Sequence, residues 1–452
     1  MSFVSCSSLS SCSVYHKNFS CKLLNINPFK CQIMNIKQIG AIGGAIALIL
    51  CWPFVVGHMA QLSIERSIAQ LINENTRAEV IKYDRGYLSS KVKIRLSVIK
   101  KDLKDEFIAG GFPTEFTFDT LLKHGFVSIQ GTSKIEELPE LLMLKTDTYL
   151  SGNTDFDLMV NEWKSSELND KASFTIASSE LKGRVNIDGG IKYKLRIPYL
   201  NIESLSDQSA SFSDIDFEGN GKKLNSVWIG DHILKTGKIN FSRDSDSAHF
   251  KWNDSRYEFS SKLDDENSRV ITRHVVELNN IETEEGRVEH ILFDFELGDM
   301  DSTAFDQLIN FYRDGEQSKT ASAVEKIKPY IEQLFSRGFY MSLNSLVVDI
   351  SDNSKVNASI KLSIPEGTDG VSDNPTVFIP KLTGTASSQL TQGFSKQFPL
   401  IQQGVNQAKQ NGLVSEVDDS YIIDAEINNG NLDFSTGQKL PLMSLLIPLI
   451  TQ

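Results

Sequence analysis

The chain has 452 residues, of which 40% are hydrophobic and 23% charged, and its formal net charge is −12 at pH 7. That length and apolar content exclude a largely disordered chain and correspond to roughly three domains. The acidic balance is ill suited to nucleic acid, which is held mainly by Lys and Arg contacts to phosphate.

In chain order, residues 1–33 are rich in Ser and Cys and have no periodicity, whereas Met34-Asn35-Ile36-Lys37 reads as an ordinary start. Residues 1–33 are therefore expected to be a non-native or untranslated leader, and 34–38 a cytoplasmic stub. Residues 39–59 (IGAIGGAIALILCWPFVVGHM) carry no Asp, Glu, Lys or Arg over 21 positions, enough to span a bilayer as a transmembrane helix. Lys17, Lys22, Lys30 and Lys37 precede that run and no acid does. The positive-inside rule then puts the N-terminus in the cytoplasm and the bulk of the chain outside. The residues after the run, Val56-Gly57-His58-Met59-Ala60-Gln61, lack a small-residue cleavage pattern, so an uncleaved anchor is expected.

All five cysteines, Cys6, Cys12, Cys21, Cys31 and Cys51, lie in the leader or the anchor. The exported part has no thiol for a disulfide or a metal, and the leader cysteines lack the close pairing of a zinc site. Without the four leader lysines the balance outside the membrane is 42 basic against 58 acidic residues, or −16. These acids are scattered among Ser and Asn, which reads as a solvated surface with no calcium loop.

Beyond the anchor, Ile64, Ile68, Leu71 and Ile72 fall on one helical face and predict a stalk helix. From Val80 the period becomes two: Val92, Ile94, Leu96 and Val98 alternate with Lys91, Lys93, Arg95 and Ser97, as in a strand wet on one side. Tyr83 and Tyr87 flank Asp84-Arg85-Gly86, which predicts a three-residue hairpin tip with Gly86 at positive φ and the tyrosines paired across it.

From Phe116 to Leu297 short alternating runs recur, such as Tyr193-Leu195-Ile197 and Ile291-Phe293-Phe295-Leu297. Asp-Gly-Gly, Glu-Gly-Asn-Gly and Glu-Gly are expected to be the turns between them, giving an antiparallel meander that curves into one long sheet. Capping boxes at Thr303/Asp306 and Ser322/Glu325 predict two helices, the second kinked at Pro329 and ending before Gly338. Strands return at 340–364, Leu390–Gln410 is a helical stretch that Pro399 should break, and Asn429-Gly430 marks a closing hairpin. The tail Leu440–Ile450 (LPLMSLLIPLI) is too short to span a bilayer and should bury against the sheet or another protein.

No constellation of catalytic, cofactor-binding or metal-ligating residues emerges. Ser89 and Ser90 lack the G-x-S-x-G elbow, and on a strand His274 and Glu277 point to opposite faces. The expected division is 60–300 for stalk and meander, 301–339 for a helical insert, and 340–452 for the C-terminal strands, helix and tail.

The cytoplasmic start, single span, Tyr83-x-Arg85-Gly86-x-x-Ser89-Ser90, His124-Gly125 and the late Gly430-x-Leu432 turn before Gly437 resemble the YdgA-like family of bacterial envelope proteins, whose function is unknown. The likeness runs over nearly the whole chain from Met34. It departs at Phe126, where the family often has Pro after His-Gly. The resemblance implies a bacterial inner-membrane protein with its bulk in the periplasm. By looser similarity the anchored sheet looks like the AsmA-type envelope proteins, whose long curved sheets carry lipid in an apolar groove. Two non-enzymatic readings follow. In one, the protein holds or moves phospholipid along an apolar sheet face lined by Phe293, Phe295 and Leu297. In the other, it is an envelope scaffold or homodimer acting through strand edges and its apolar tail.

Overall fold

The computed structural model describes Gln61, Ile72 and residues 75–444, apart from 110–112, 165–171, 205–207, 244–248, 285 and 314–320. The leader, the 39–59 span, the stalk apart from Gln61, Ile72 and Asn75, and the tail beyond Ser444 lie outside the described residues. Among the described residues no helix is long and apolar enough to cross a membrane.

Alternating sequence gives strands throughout. The first group is β1 (Thr76–Arg85), β2 (Ser89–Val98), β3 (Glu115–His124), β4 (Ser128–Ile135), β5 (Leu142–Tyr149) and β6 (Thr154–Val160), with one helix, α1 (Lys101–Ala109), between β2 and β3. Two short strands, β7 (Trp163–Lys164) and β8 (Ala172–Ile176), precede β9 (Ser179–Val185). Six longer ones follow: β10 (Ile191–Ser204), β11 (Gln208–Leu224), β12 (Val227–Arg243), β13 (His249–Asp264), β14 (Arg269–Thr283) and β15 (Gly286–Asp301). Helices α2 (Ser302–Arg313) and α3 (Ala321–Arg337) lead to β16 (Phe339–Ser351), β17 (Ser354–Ile364) and β18 (Thr383–Thr391). After α4 (Gln392–Gln397) and α5 (Pro399–Gln410), the described chain closes with β19 (Ser415–Val417), β20 (Ser420–Asn428), β21 (Asn431–Phe434) and β22 (Lys439–Pro441).

These strands form one antiparallel sheet that does not close on itself. Neighbours follow chain order except that β6 pairs with β9, β8 lies against the second half of β10, and β18 pairs with β20. Across the two helices β15 pairs directly with β16. Several strands carry an interior residue at positive φ, Asp214 in β11, Asp254 in β13 and Asp299 in β15 among them, and at Asp254 and Asp299 the register shifts by one residue, as at a bulge. A bulge absorbs one residue and bends the strand, so apolar positions on either side of it stay on one face despite the change of parity. Asn and Asp adopt that backbone more readily than other residues with a Cβ.

Several local expectations are corrected. The β1–β2 loop runs from Gly86 to Leu88, because Arg85 already pairs with Ser90 and Tyr83 pairs with Val92, not with Tyr87. Gly86 is not at positive φ. Its N–H donates to the Ser89 carbonyl at 2.8 Å, and an added Cβ would stand 2.6 Å from that oxygen, so close backbone approach is what demands glycine. Glu218-Gly219-Asn220-Gly221 is no turn but the interior of β11. Helix α2 is capped by Asp301, whose Oδ1 accepts from the Ala304 N–H at 2.9 Å, while Asp306 instead accepts from the Ser226 N–H. Ser322 falls inside α3, and Glu325 pairs with Lys328. The break at Pro399 and the turn at Asn429-Gly430, with φ of 49° and 73°, are as the sequence indicates.

Buried apolar side chains gather at three places. Ala304 and Leu334, from α2 and α3, pack on Val227, Val270 and Met300 at one end of β12, β14 and β15. Ile364, Ile379, Leu382, Ile427 and Leu442 form a second cluster near the C-terminal hairpin, and Val92 with Leu122 a third in β2 and β3.

Candidate functional site

Register assigns the apolar residues of the long strands to a single face. Reading across the sheet, Tyr193 lies opposite Gly219, Gly219 opposite His232, and His232 opposite Phe259. Phe259 lies opposite His274, His274 opposite Phe295, and Phe295 opposite Leu343. The adjacent row runs through Leu195, Phe217, Leu234, Tyr257, Val276 and Phe293. Phe293, Phe295 and Leu297 therefore share this face of β15, where the Phe293 and Phe295 rings stack 6.1 Å apart.

The face is apolar yet not sealed. Phe293 is 37% exposed, and Phe241 and Phe250 further along it 38% and 40%. None of them belongs to the three buried clusters. The opposite face is charged. Arg273 donates to both carboxylate oxygens of Asp294 at 2.8 and 2.6 Å and holds that carboxyl below the usual range, and Arg184 grips Asp155 in the same two-pronged way. One side of the sheet is thus built for water and the other for an apolar cover.

Two polar pairs interrupt the apolar rows. The Tyr193 hydroxyl lies 2.6 Å from Nδ1 of His232, and the Tyr257 hydroxyl 2.9 Å from Nδ1 of His274. Burial pushes both phenols up and both imidazoles down. Each phenol keeps its proton and can donate to Nδ1 of a neutral ring; the tautomer that accepts this bond carries its N–H at Nε2. Gly219 makes the first pair attainable, since a Cβ there would collide with His232 Nδ1 and the Tyr193 hydroxyl. His232 also stacks on Trp228 at 4.6 Å.

The signature stretch sits at the other end of the sheet. Ser90 and His124, on neighbouring strands, approach to 3.0 Å between Oγ and Nε2, and His124 Nδ1 lies 3.2 Å from the Tyr87 carbonyl. With Nδ1–H donating to that carbonyl, Nε2 accepts from the Ser90 hydroxyl. This resembles the first half of a nucleophilic serine site, but Ser90 is 1% and His124 5% exposed, and the third member is a carbonyl with no negative charge to stabilise an imidazolium. Arg85 stands opposite Ser90 in the register, Tyr83 packs against Val92 and Leu122, and Ser89 is exposed.

The sequence carried a signal for this pairing. Arg85-Gly86-Tyr87-Leu88-Ser89 and His124-Gly125-Phe126-Val127-Ser128 are the same turn written twice, each closed by a Gly N–H donating to a Ser carbonyl, at 2.8 and 2.9 Å. Among the described residues no three His, Cys, Asp or Glu side chains converge on a metal-sized site.

Neither a curated protein nor a solved structure matches the chain. A family model described as a bacterial protein of unknown function, DUF945, matches residues 36–443, with both the paired turns and the long apolar face inside the matched span. The chain belongs to the DUF945 family of bacterial proteins.

Proposed function

We propose that this is a non-enzymatic, membrane-anchored protein of the bacterial envelope that holds or moves lipid acyl chains along its apolar sheet face. The carrying observation is the face itself: apolar rows across β10 to β16 that remain part-exposed at Phe293, Phe241 and Phe250, backed by a charged opposite side. Apolar surface left against water costs roughly 25 cal/mol per Å², so such a face calls for a cover. Acyl chains suit it because they need no hydrogen-bond partners and a sheet face offers no free backbone groups. The 39–59 segment, read as an anchor with its N-terminus in the cytoplasm, would hold the face beside a supply of phospholipid. The resemblance to the YdgA-like envelope proteins supports the same address.

A photoreactive side chain at Phe295 in the full-length protein in its membrane tests this reading. Lipid adducts are expected. Adducts confined to the 440–450 tail would mean that the protein closes on itself, and adducts confined to another polypeptide would favour a scaffold or dimer; either would overturn it.

A further inference from the structure

We infer that four neighbouring turns at one end of the sheet form a row of apolar tips that dips into the bilayer holding the anchor. This inference rests on the anchor proposed above and not on the acyl-chain reading, since it concerns the end of the sheet and not its face.

The turns join β1 to β2 (residues 86–88), β3 to β4 (125–127), β5 to β6 (150–153) and β9 to β10 (186–190). Pairing of β2 with β3, β4 with β5 and β6 with β9 brings all four to the same end. Hydrogen bonds tie them into a row. The Leu88 carbonyl accepts from the His124 N–H at 2.8 Å, the Val127 carbonyl from the Leu150 N–H at 3.2 Å, and Asn153 Oδ1 from the Ile187 N–H at 3.1 Å.

Each turn presents large apolar side chains to solvent: Tyr87 and Leu88, Phe126 and Val127, Leu150, and Ile187, all between 47% and 78% exposed. Turns that face water are ordinarily built from Gly, Asn, Asp and Ser. A single apolar residue on a surface needs no explanation, but six on the tips of four adjoining turns make a patch. Other turns differ. The β4–β5 connection, at the opposite end, carries Glu136, Glu137 and Glu140. At the same end the row stops at β10, because the next turns are held against the helices, Ser226 by Asp306 and Asn267 by Arg337.

Two further features favour a bilayer over another protein as the occupant. The N–H groups of Gly86, Gly125, Leu150, Gly152, Asn186 and Ile187 are all bonded within the row, and hydrocarbon admits only backbone whose polar groups are already paired. Within two residues of the turns stand Arg85, Lys123, Arg184 and Lys192 against Asp84 and Asp155. Cations therefore lie at headgroup level just behind the tips, and Tyr87 and Phe126 supply the aromatic rings that favour the interface. The charge within the turns themselves, Asp188, lies in the last turn of the row and accepts from the Gly190 N–H at 3.2 Å.

The anchor leaves room for this contact. Residues 60–75 lie between the 39–59 run and β1 and would reach about 24 Å as a helix or about 50 Å extended, against about 33 Å for the length of β1. With the strands tilted in the first case or upright in the second, the turns meet the same bilayer.

For the test, full-length protein with its five native cysteines replaced by alanine is reconstituted into vesicles of phosphatidylethanolamine and phosphatidylglycerol. A nitroxide is attached at Val127→Cys or, at the opposite end, at Glu140→Cys. Both proteins are expected to float with the vesicles. Collisions of the label at 127 with a water-soluble nickel chelate should be about tenfold rarer than those of the label at 140, because hydrocarbon excludes the chelate, and its collisions with oxygen more frequent. Adding Leu88→Ser, Phe126→Ser and Ile187→Ser should return the label at 127 to the exposure of the label at 140 without moving the melting temperature, since all three side chains are exposed. Equal chelate access at the two positions in floating protein would overturn the row of tips and leave the anchor in place, and so would a label at 127 unmoved by the three serines. A label shielded from chelate and oxygen alike would also overturn it, because a second copy of the chain and not lipid would then cover the turns. Protein that does not float would remove the anchor and this inference together.

Discussion

Ser90 Oγ lies 3.0 Å from Nε2 of His124, and both side chains are buried in the angle between two hairpin turns of identical design. The imidazole spans both turns, because its other nitrogen faces the Tyr87 carbonyl in the first loop. His124→Ala removes a partner from the buried Ser90 hydroxyl and from the Tyr87 carbonyl and should destabilise the protein by about 2 kcal/mol; Ser90→Ala should cost about 1 kcal/mol. Chemical denaturation checks both figures. Covalent labelling of Ser90 in the folded protein by a fluorophosphonate would instead show a nucleophile open to substrate, contrary to its burial.

Gly86 and Gly125 are required for space. A Cβ would meet the Ser89 carbonyl oxygen at 2.6 Å in one turn and that of Ser128 at 2.7 Å in the other. Gly86→Val and Gly125→Val should each cost about 1–3 kcal/mol through forced backbone displacement. Gly86→Asn, which relieves positive-φ strain but not a collision, should be no better than Gly86→Ala in a thermal melt. A clear advantage for Asn would mean that φ, not contact, sets the requirement.

The two Tyr–His pairs predict a pH dependence. Burial lowers His232 and His274 from their ordinary 6.5, so below that pH the unfolded chain takes up protons that the folded one resists. Stability should be flat from pH 8 to 7 and fall as pH drops from about 6.5 towards 5, the direction in which the unfolded state binds more protons. Melting temperatures across that range should fall less in the double variant His232→Phe, His274→Phe. An unchanged slope in that variant would place the sensitivity elsewhere. Asp294, held down chiefly by Arg273, acts in a lower window, below the ordinary 3.8.

Asp301 anchors the helical cap. It is 1% exposed, caps α2 through the Ala304 N–H, and accepts from Gln333 at 2.9 Å and Arg337 at 2.6 Å. Arg337→Ala leaves that carboxylate buried without its cation and should cost about 3 kcal/mol, whereas Asp301→Asn with Arg337→Met should cost less than Arg337→Ala alone. A double variant weaker than the single one would show that the pair stabilises the cap beyond mutual compensation.

Membrane orientation is checked by a reporter active only outside the cytoplasm, fused after Gln452. Activity is expected, because the lysines precede the 39–59 run and no later stretch of comparable length is uncharged. A silent reporter on a stably made fusion would reverse the assignment.

Strand identity was legible in the sequence because side-chain alternation is a local property: Val92 to Val98 and Ile291 to Leu297 declare their faces without reference to any neighbour. The same holds for the break at Pro399 and the turn at Asn429-Gly430, where one residue's backbone restriction decides the outcome. Local chemistry misleads where tertiary contact overrides it. Glu218-Gly219-Asn220-Gly221 has turn composition, yet it runs straight through β11 because Gly219 faces the Tyr193–His232 pair from neighbouring strands. Asp301 outcompetes Thr303 as the cap of α2 because Arg337 and Gln333, more than thirty residues later, hold its carboxylate in place. The joining of Ser90 to His124, the alignment of Tyr–His pairs across five strands and the exposure of the apolar face all depend on register between distant strands. A shift of one residue would turn each of these side chains to the other face, and pairing between strands, which no single strand encodes, prevents that shift.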